Sequence, residues 1–405
     1  MTRFTDATRQ QKLIVLIGAA VLLCILPFVV QMAGNAWVRI IDIALLYVLL
    51  ALGLNIVVGY AGLLDLGYVA FYAVGAYMLG LLASPQLTET FPAIAAAFPD
   101  GLHMPWWAVI PLGALVAGGA GVLLGAPTLK LRGDYLAIVT LGFGEIVRVF
   151  LNNLDAPVNI TNGPKGISGI DEISMFGVSL GKTHHFFGLV WPKVTNYYFL
   201  FLLLVIFAVV ICHRLERSRI GRAWMAIRED EVAAKAMGIN TRNLKLLAFG
   251  MGATFGGVSG VMFASFQGFI SPESFSLPES VMIVAMVVLG GIGHLPGVIV
   301  GALLLAALPE VLRYVAGPLQ QMTEGRLDAS IQRQLLIALA MLGIMLSRPR
   351  GLWPSPEHGR MRAAGAETPP PQGPGGELPV KLPHGDLPPA TRIPPTTGHI
   401  VPTER

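Results

Sequence analysis

The chain has 405 residues, 54% hydrophobic and 13% charged, with a formal net charge of +4 and a mean hydropathy of +0.65. A soluble globular domain carries charge on about 25% of its residues, so this composition excludes one. The slight basic excess does not argue for nucleic acid, because in so apolar a chain basic residues mark cytoplasmic loops.

In chain order, Arg3, Arg9 and Lys12 precede an apolar run that ends near Val30. The run is longer than the roughly 7–15-residue core of a secretory signal, which reads as an uncleaved first span with residues 1–12 in the cytoplasm. Candidate spans are 13–30, 38–58, 62–83, 107–129, 135–151, 197–213 and 244–266, followed by an apolar block at 280–313 and a last span at 331–347. Runs near the roughly 20 residues needed to cross hydrocarbon must satisfy their own backbone, which predicts an all-α polytopic membrane protein. Cys24 and Cys212 lie in or beside apolar runs and read as packing residues.

Sidedness follows from the basic residues. The loop from Ser84 to Pro105 has no Lys or Arg, and 152–196 has only scattered lysines, so both are placed outside. Lys130, Arg132 and the cluster between Arg214 and Lys245 are placed in the cytoplasm. Residues 267–278 then fall outside, while Arg348 and Arg350 put the C-terminus inside, so the block 280–313 has to cross twice. The count becomes about ten transmembrane helices, some broken or short, over a permease domain at 13–353. The break is "GGIGHLPG", Gly290 to Gly297, which leaves Val281–Gly293 as a short, sheltered crossing.

A matching interruption, "GYAGLLDLGY", runs from Gly59 to Tyr68. Gly-interrupted segments in corresponding places of two halves point to a transport pathway. The pathway candidates are Gly59, Gly62, Asp65, Gly67, Glu145, Gly290, Gly291, Gly293 and His294. Gly67 and Gly293 each stand eight residues before a Gly-Ala pair, an echo that leaves an internal repeat possible.

Ionisable residues at membrane depth are functional candidates. Asp65 reads as a pathway group or a turn cap, and His294 as a pathway group or a polar turn residue. Glu145 and Arg148, three apart, suit an ion pair on one helix face as well as a substrate contact. Snorkelling and capping account for Asp42 and for Glu310 with Arg313. His184 and His185 are adjacent, a poor spacing for metal ligands on one element, and read as a solvated loop pair. "GVSLGKT", Gly177 to Thr183, has one residue too few for a phosphate loop and lies in an external loop, so ATP use is assigned to another polypeptide.

The cytoplasmic segment 214–245 contains "REDEVAAKAMGIN", Arg228 to Asn240. Its Ala, Glu, Lys and Met favour helix, its first turn is acidic, and Gly238 stands where a C-capping glycine belongs. Charged residues beside Met225, Val232 and Met237 suit docking into another protein's groove, with a helix lying on lipid as the alternative. After Trp353 the composition turns Pro- and Gly-rich, which predicts a disordered cytoplasmic tail at 354–405, dispensable for transport.

"VAAKAMGIN", Val232 to Asn240, resembles the E-A-A-x-x-x-G loop by which ABC importer permeases contact their ATPases. Ala233, Ala234 and Gly238 hold the spacing, while Val232 replaces the motif's Glu and Glu231 stands one residue early. The stretches Gly53–Tyr77, Leu131–Asn153, Glu216–Asn240 and Gln267–Gly293 are similar to LivM-type permeases of high-affinity branched-chain amino acid importers. This resemblance implies a bacterial inner-membrane permease subunit without its own ATPase or a cofactor. It implies as partners a LivH-like second permease, two cytoplasmic ATP-binding subunits and a periplasmic protein delivering Leu, Ile or Val. The ATPase-docking residues it points to are Arg228, Glu229, Asp230, Glu231, Ala233, Ala234 and Gly238. A permease for another small solute such as urea, or an ion-coupled secondary transporter, are the alternatives.

Overall fold

The computed structural model describes residues 9–322 apart from 99, 100, 130, 132, 176, 177, 187 and 188, together with 335, 338, 339, 342, 343, 346 and 351–353. Residues 1–355 form one unit, to which everything below refers. The last predicted span lies largely outside the described residues, and the Pro-rich tail entirely so.

The helices are α1 (Arg9–Gln31), α2 (Asn35–Asn55), α3 (Val69–Leu82), α4 (Gln86–Thr90), α5 (Pro92–Ala97), α6 (Trp106–Thr128) and α7 (Asp134–Asn153). They continue as α8 (Lys193–Glu216), α9 (Arg219–Glu229), α10 (Glu231–Ala236), α11 (Thr241–Gln267), α12 (Leu277–Gly290) and α13 (Leu295–Met322). A π-helical turn, Ile56–Tyr60, prolongs α2. Among the described residues, five stretches are long and apolar enough to cross a membrane: Asn35–Tyr60, Trp106–Thr128, Lys193–Glu216, Thr241–Gln267 and Pro272–Gly290. Ala20–Gln31, Val69–Leu82 and Leu295–Val311 are shorter apolar helices.

Two boundaries differ from expectation. The span predicted over 62–83 is helical only from Val69, because the preceding residues run as irregular chain tied to other helices. In the block 280–313, α12 is a short helix of 14 residues, and Pro296 opens α13 rather than breaking a helix. Proline is tolerated in a first turn, where its missing N–H would have no partner anyway.

α11 is the hub, packed on α6, α3 and α2. Close approach is possible because glycines line the contacts. A Cβ at Gly257 would lie 2.6 Å from the Gly113 carbonyl oxygen of α6, and one at Gly260 2.6 Å from the Ala76 nitrogen of α3. Lipid tails are as apolar as leucine, so packing of small residues holds such helices together. The stripe Gly252, Gly256, Gly260 is the sequence signal for this interface, and the sequence reading did not use it. α2 is buried from Ala44 to Tyr60 except at Tyr47. Leu115, Leu123, Ile146, Phe150, Leu203 and Phe207 are exposed outside this core, an apolar surface that suits lipid or a second membrane subunit.

The loops sort to two ends. At one, the Asp171 nitrogen donates to the Ala83 oxygen at 2.7 Å, Gln31 Nε2 donates to the Val190 oxygen at 3.3 Å, and Arg148 Nη1 donates to Glu273 Oε1 at 3.2 Å. The antiparallel ribbon of Ile167–Ser168 with Phe269–Ile270 lies there too. These are the segments that the charge count places together outside. At the other end Arg228 of α9 meets the two glycine-rich breaks, and residues 351–353 meet the second of them.

Candidate functional site

The segment between α8 and α11 folds as two short helices, where one was expected through 228–238. Asp230 divides them. Its backbone is extended and its Oδ1 accepts from the nitrogens of Val232 at 2.8 Å and Ala233 at 3.0 Å, an N-cap for α10. An acidic run read as a helix's first turn thus hides a helix start. Gly238 has φ +83, and the bonds Gly238 N to Lys235 O and Ile239 N to Ala234 O, both 3.1 Å, close α10 in a Schellman arrangement.

Two contacts fasten the segment to α11. Buried Trp224 donates from Nε1 to the Leu244 oxygen at 2.7 Å, and Lys245 Nζ, its side chain 7% exposed, lies 2.7 Å from Glu231 Oε1. Lys245→Met leaves the half-buried Glu231 carboxylate without this partner. A loss of about 1–3 kcal/mol is expected, read as a lower thermal midpoint in detergent, and Glu231→Gln in the same chain should recover most of it.

The predicted docking residues therefore divide. Glu231 and Ala234 face inward, and Arg228 turns away from solvent toward the breaks. Glu229, Asp230, Ala233 and Gly238 are exposed, joined by two large apolar side chains, Val232 at 66% and Met237 at 84% exposure. The position where a Glu was expected is thus part of an apolar knob.

Three of the predicted pathway glycines gather around Arg228. Its Nη1 donates to the Gly59 oxygen at 2.5 Å. A Cβ at Gly62, which has φ +70, would lie 2.7 Å from Arg228 Cγ, and one at Gly293 2.8 Å from Arg228 Nη1. Asn55, buried in α2, adds a second link: its Oδ1 accepts from the Gly293 nitrogen at 2.9 Å. The two interruptions, more than two hundred residues apart, meet at one point.

Farther along the first break, Asp65 is buried and its Oδ1 accepts from the Gly67 nitrogen at 2.9 Å, while Oδ2 has no hydrogen-bond partner among the described residues. Oδ2 belongs to a residue lining a small cavity with Phe71, Leu124, Phe143 and Phe249. The Leu66 nitrogen donates to Thr140 Oγ1 at 3.0 Å, and Ser280 Oγ donates to the Leu66 oxygen. A Cβ at Gly67 would come 2.8 Å from the Thr140 carbonyl carbon. The first break is thereby tied to α7 and α12.

Gly290 and Gly291 close α12 against residues 351–353. The Leu352 nitrogen donates to the Leu289 oxygen at 2.7 Å and the Trp353 nitrogen to the Gly290 oxygen at 3.3 Å. Carbonyls orphaned at a helix end are thus satisfied from the far end of the chain. The His294 ring lies 6.1 Å from the Trp353 ring, and its Nδ1 is buried without a hydrogen-bond partner among the described residues.

Other candidates are not brought in. Glu145 pairs with Arg148, which also reaches Glu273, so it belongs to the end that the charge count places outside rather than to either break. Asp42 corrects the snorkelling reading: it is 0% exposed and neither carboxylate oxygen has a hydrogen-bond partner among the described residues. His184 Nε2 contacts the Ser179 oxygen at 2.7 Å. The Arg313 side chain and that of His185 lie outside those described. Asn55, Thr140, Ser280 and Lys245 were not read from sequence. Only Asn55, an amide in the apolar run "GLNIVV", carries a visible signal.

A family model described as branched-chain amino acid transport system / permease component matches residues 37–346. The chain is 40% identical over 360 residues to the high-affinity branched-chain amino acid transport system permease protein LivM of Escherichia coli K12, covering 86% of this chain and 76% of that one. Against LivH of the same organism identity is 25% over 315 residues, 77% of this chain and 92% of the relative. A probable branched-chain amino acid transport permease protein LivM of Methanocaldococcus jannaschii is 26% identical over 329 residues, 76% and 90% of the two chains. No solved structure matches.

Proposed function

The chain belongs to the branched-chain amino acid transport system permease family, and from that premise we propose that it forms, with a LivH-like second permease, the membrane pathway of an ATP-driven importer for Leu, Ile and Val. Its relatives are membrane permease subunits, so ATP hydrolysis falls to two partner subunits on the cytoplasmic side, and a periplasmic binding protein delivers the amino acid. The subunit does no covalent chemistry. It offers two conformations of a pathway, which the partners' nucleotide states bias.

One observation carries this reading. The segment α9–α10 is fastened to α11, touches both glycine-rich breaks through Arg228, and holds Val232 and Met237 out to solvent. An exposed apolar knob linked to broken helices is the arrangement expected of an energy-input surface beside a gate. Sidedness has independent support: Trp353 and Arg228 stand at the same end, so an internal coupling segment implies that residues 351–353 are internal too. With the N-terminus also inside and 331–347 crossing, the helix count is ten.

Reconstitution of this chain with its second permease, ATPases and binding protein tests the proposal. Uptake of leucine, isoleucine and valine that requires both ATP and the binding protein is the expected result. Transport of urea in their place would move the subunit to another solute. Uptake by this chain alone under an ion gradient would overturn the reading.

A further inference from the structure

We infer that Arg228 is a positioning residue that carries movement of the docking segment to both glycine-rich breaks at once, rather than a contact for the ATPase. The inference rests on the importer reading and assigns a role within it.

The geometry is specific. α2 and its π-helical turn stop at Tyr60, so the Gly59 carbonyl has no following turn to donate to it, and Arg228 Nη1 does so instead. α12 stops at Gly290, three residues before Gly293, where the same guanidinium nitrogen occupies the space beside the glycine. Arg228 is itself in the last turn of α9. At the α2 end a permanent cation therefore meets a carbonyl of a helix C-terminus, where partial negative charge favours it. The aliphatic stem lies on Gly62, so a side chain at Gly62 or Gly293 would occupy volume the arginine fills, while one at Gly59 would meet Asn55 and the Gly293 nitrogen. Trp224 and Lys245 tie the segment to α11, whereas Arg228 ties it to the breaks. The planar guanidinium offers donors in several directions, which one ammonium cannot match.

The test uses the complete transporter in proteoliposomes with R228A and R228K. Co-purification of the ATP-binding subunits and their ATP hydrolysis should persist in R228A, because Val232, Met237 and the rest of the exposed face are untouched. Leucine transported per ATP hydrolysed should fall about tenfold or more, a usual size for loss of one coupling between sites. R228K should recover part of that ratio. An unchanged ratio in R228A overturns the assignment, and so does loss of ATPase association, which would make Arg228 a docking contact. If R228A does not fold, R228K decides by the same ratio, a wild-type value overturning the proposal. Wild-type transporter that carries no leucine would fail the importer reading itself, which separates the two failures.

Discussion

Gly75→Leu should leave no folded permease in the membrane, while Gly119→Ala should be tolerated. A Cβ at Gly75 would run into the Gly257 carbonyl and stand 2.6 Å from the Gly257 α-carbon. The obstacle is backbone, which cannot rotate away as a flexible side chain can. α3 and α11 would have to separate, and with them the glycine contacts of α11 to α6. Overpacking a tight core costs about 1–3 kcal/mol when side chains can adjust. Here a larger loss is expected, against a total stability of about 5–15 kcal/mol. A Cβ at Gly119 meets nothing within 4 Å. Size-exclusion profile and thermal midpoint in detergent report the difference. Equal behaviour of the two variants would show that α3 and α11 do not pack through these glycines.

The second large effect concerns the knob. Val232→Asp with Met237→Asp should weaken association with the ATP-binding subunits by about 30-fold or more, taking about 2 kcal/mol for one lost hot spot. Both side chains are largely in solvent, so insertion and thermal midpoint should hold. Charge reversal at Glu231, attractive from sequence alone, is a poorer probe because it also breaks the pair with Lys245. Glu229, which is exposed, remains a clean site for that experiment. Full ATPase association by the double variant would move docking away from α10.

Much of the fold was legible because membrane insertion is decided locally. An apolar run near 20 residues long is favourable in hydrocarbon whatever its neighbours are. The two breaks were legible for the same local reason, since glycine and proline interrupt helices by their own backbone properties. Asp42 was misplaced because periodicity puts a residue on a helix face without saying what that face meets, whereas the pairing of Glu145 with Arg148 was legible from their spacing of three. The N-cap at Asp230 was missed because an acid serves equally in a first turn and ahead of one.

The sequence by itself determined a helical membrane subunit, its family resemblance, which loops share a side, and a charged helix-forming segment in the stretch richest in Arg and Lys. Those properties are sums over neighbouring residues or counts of charge, so they need no knowledge of the fold. Only the tertiary structure decided that Gly59, Gly62 and Gly293 close around one arginine, and that Glu231 pairs with Lys245 instead of facing a partner. It also decided that Val232 and Met237 form the outward knob. The physical reason is that these are contacts between residues far apart in the chain. They depend on how closely glycine lets α2, α11 and α12 approach, and nothing in a one-dimensional pattern records that distance.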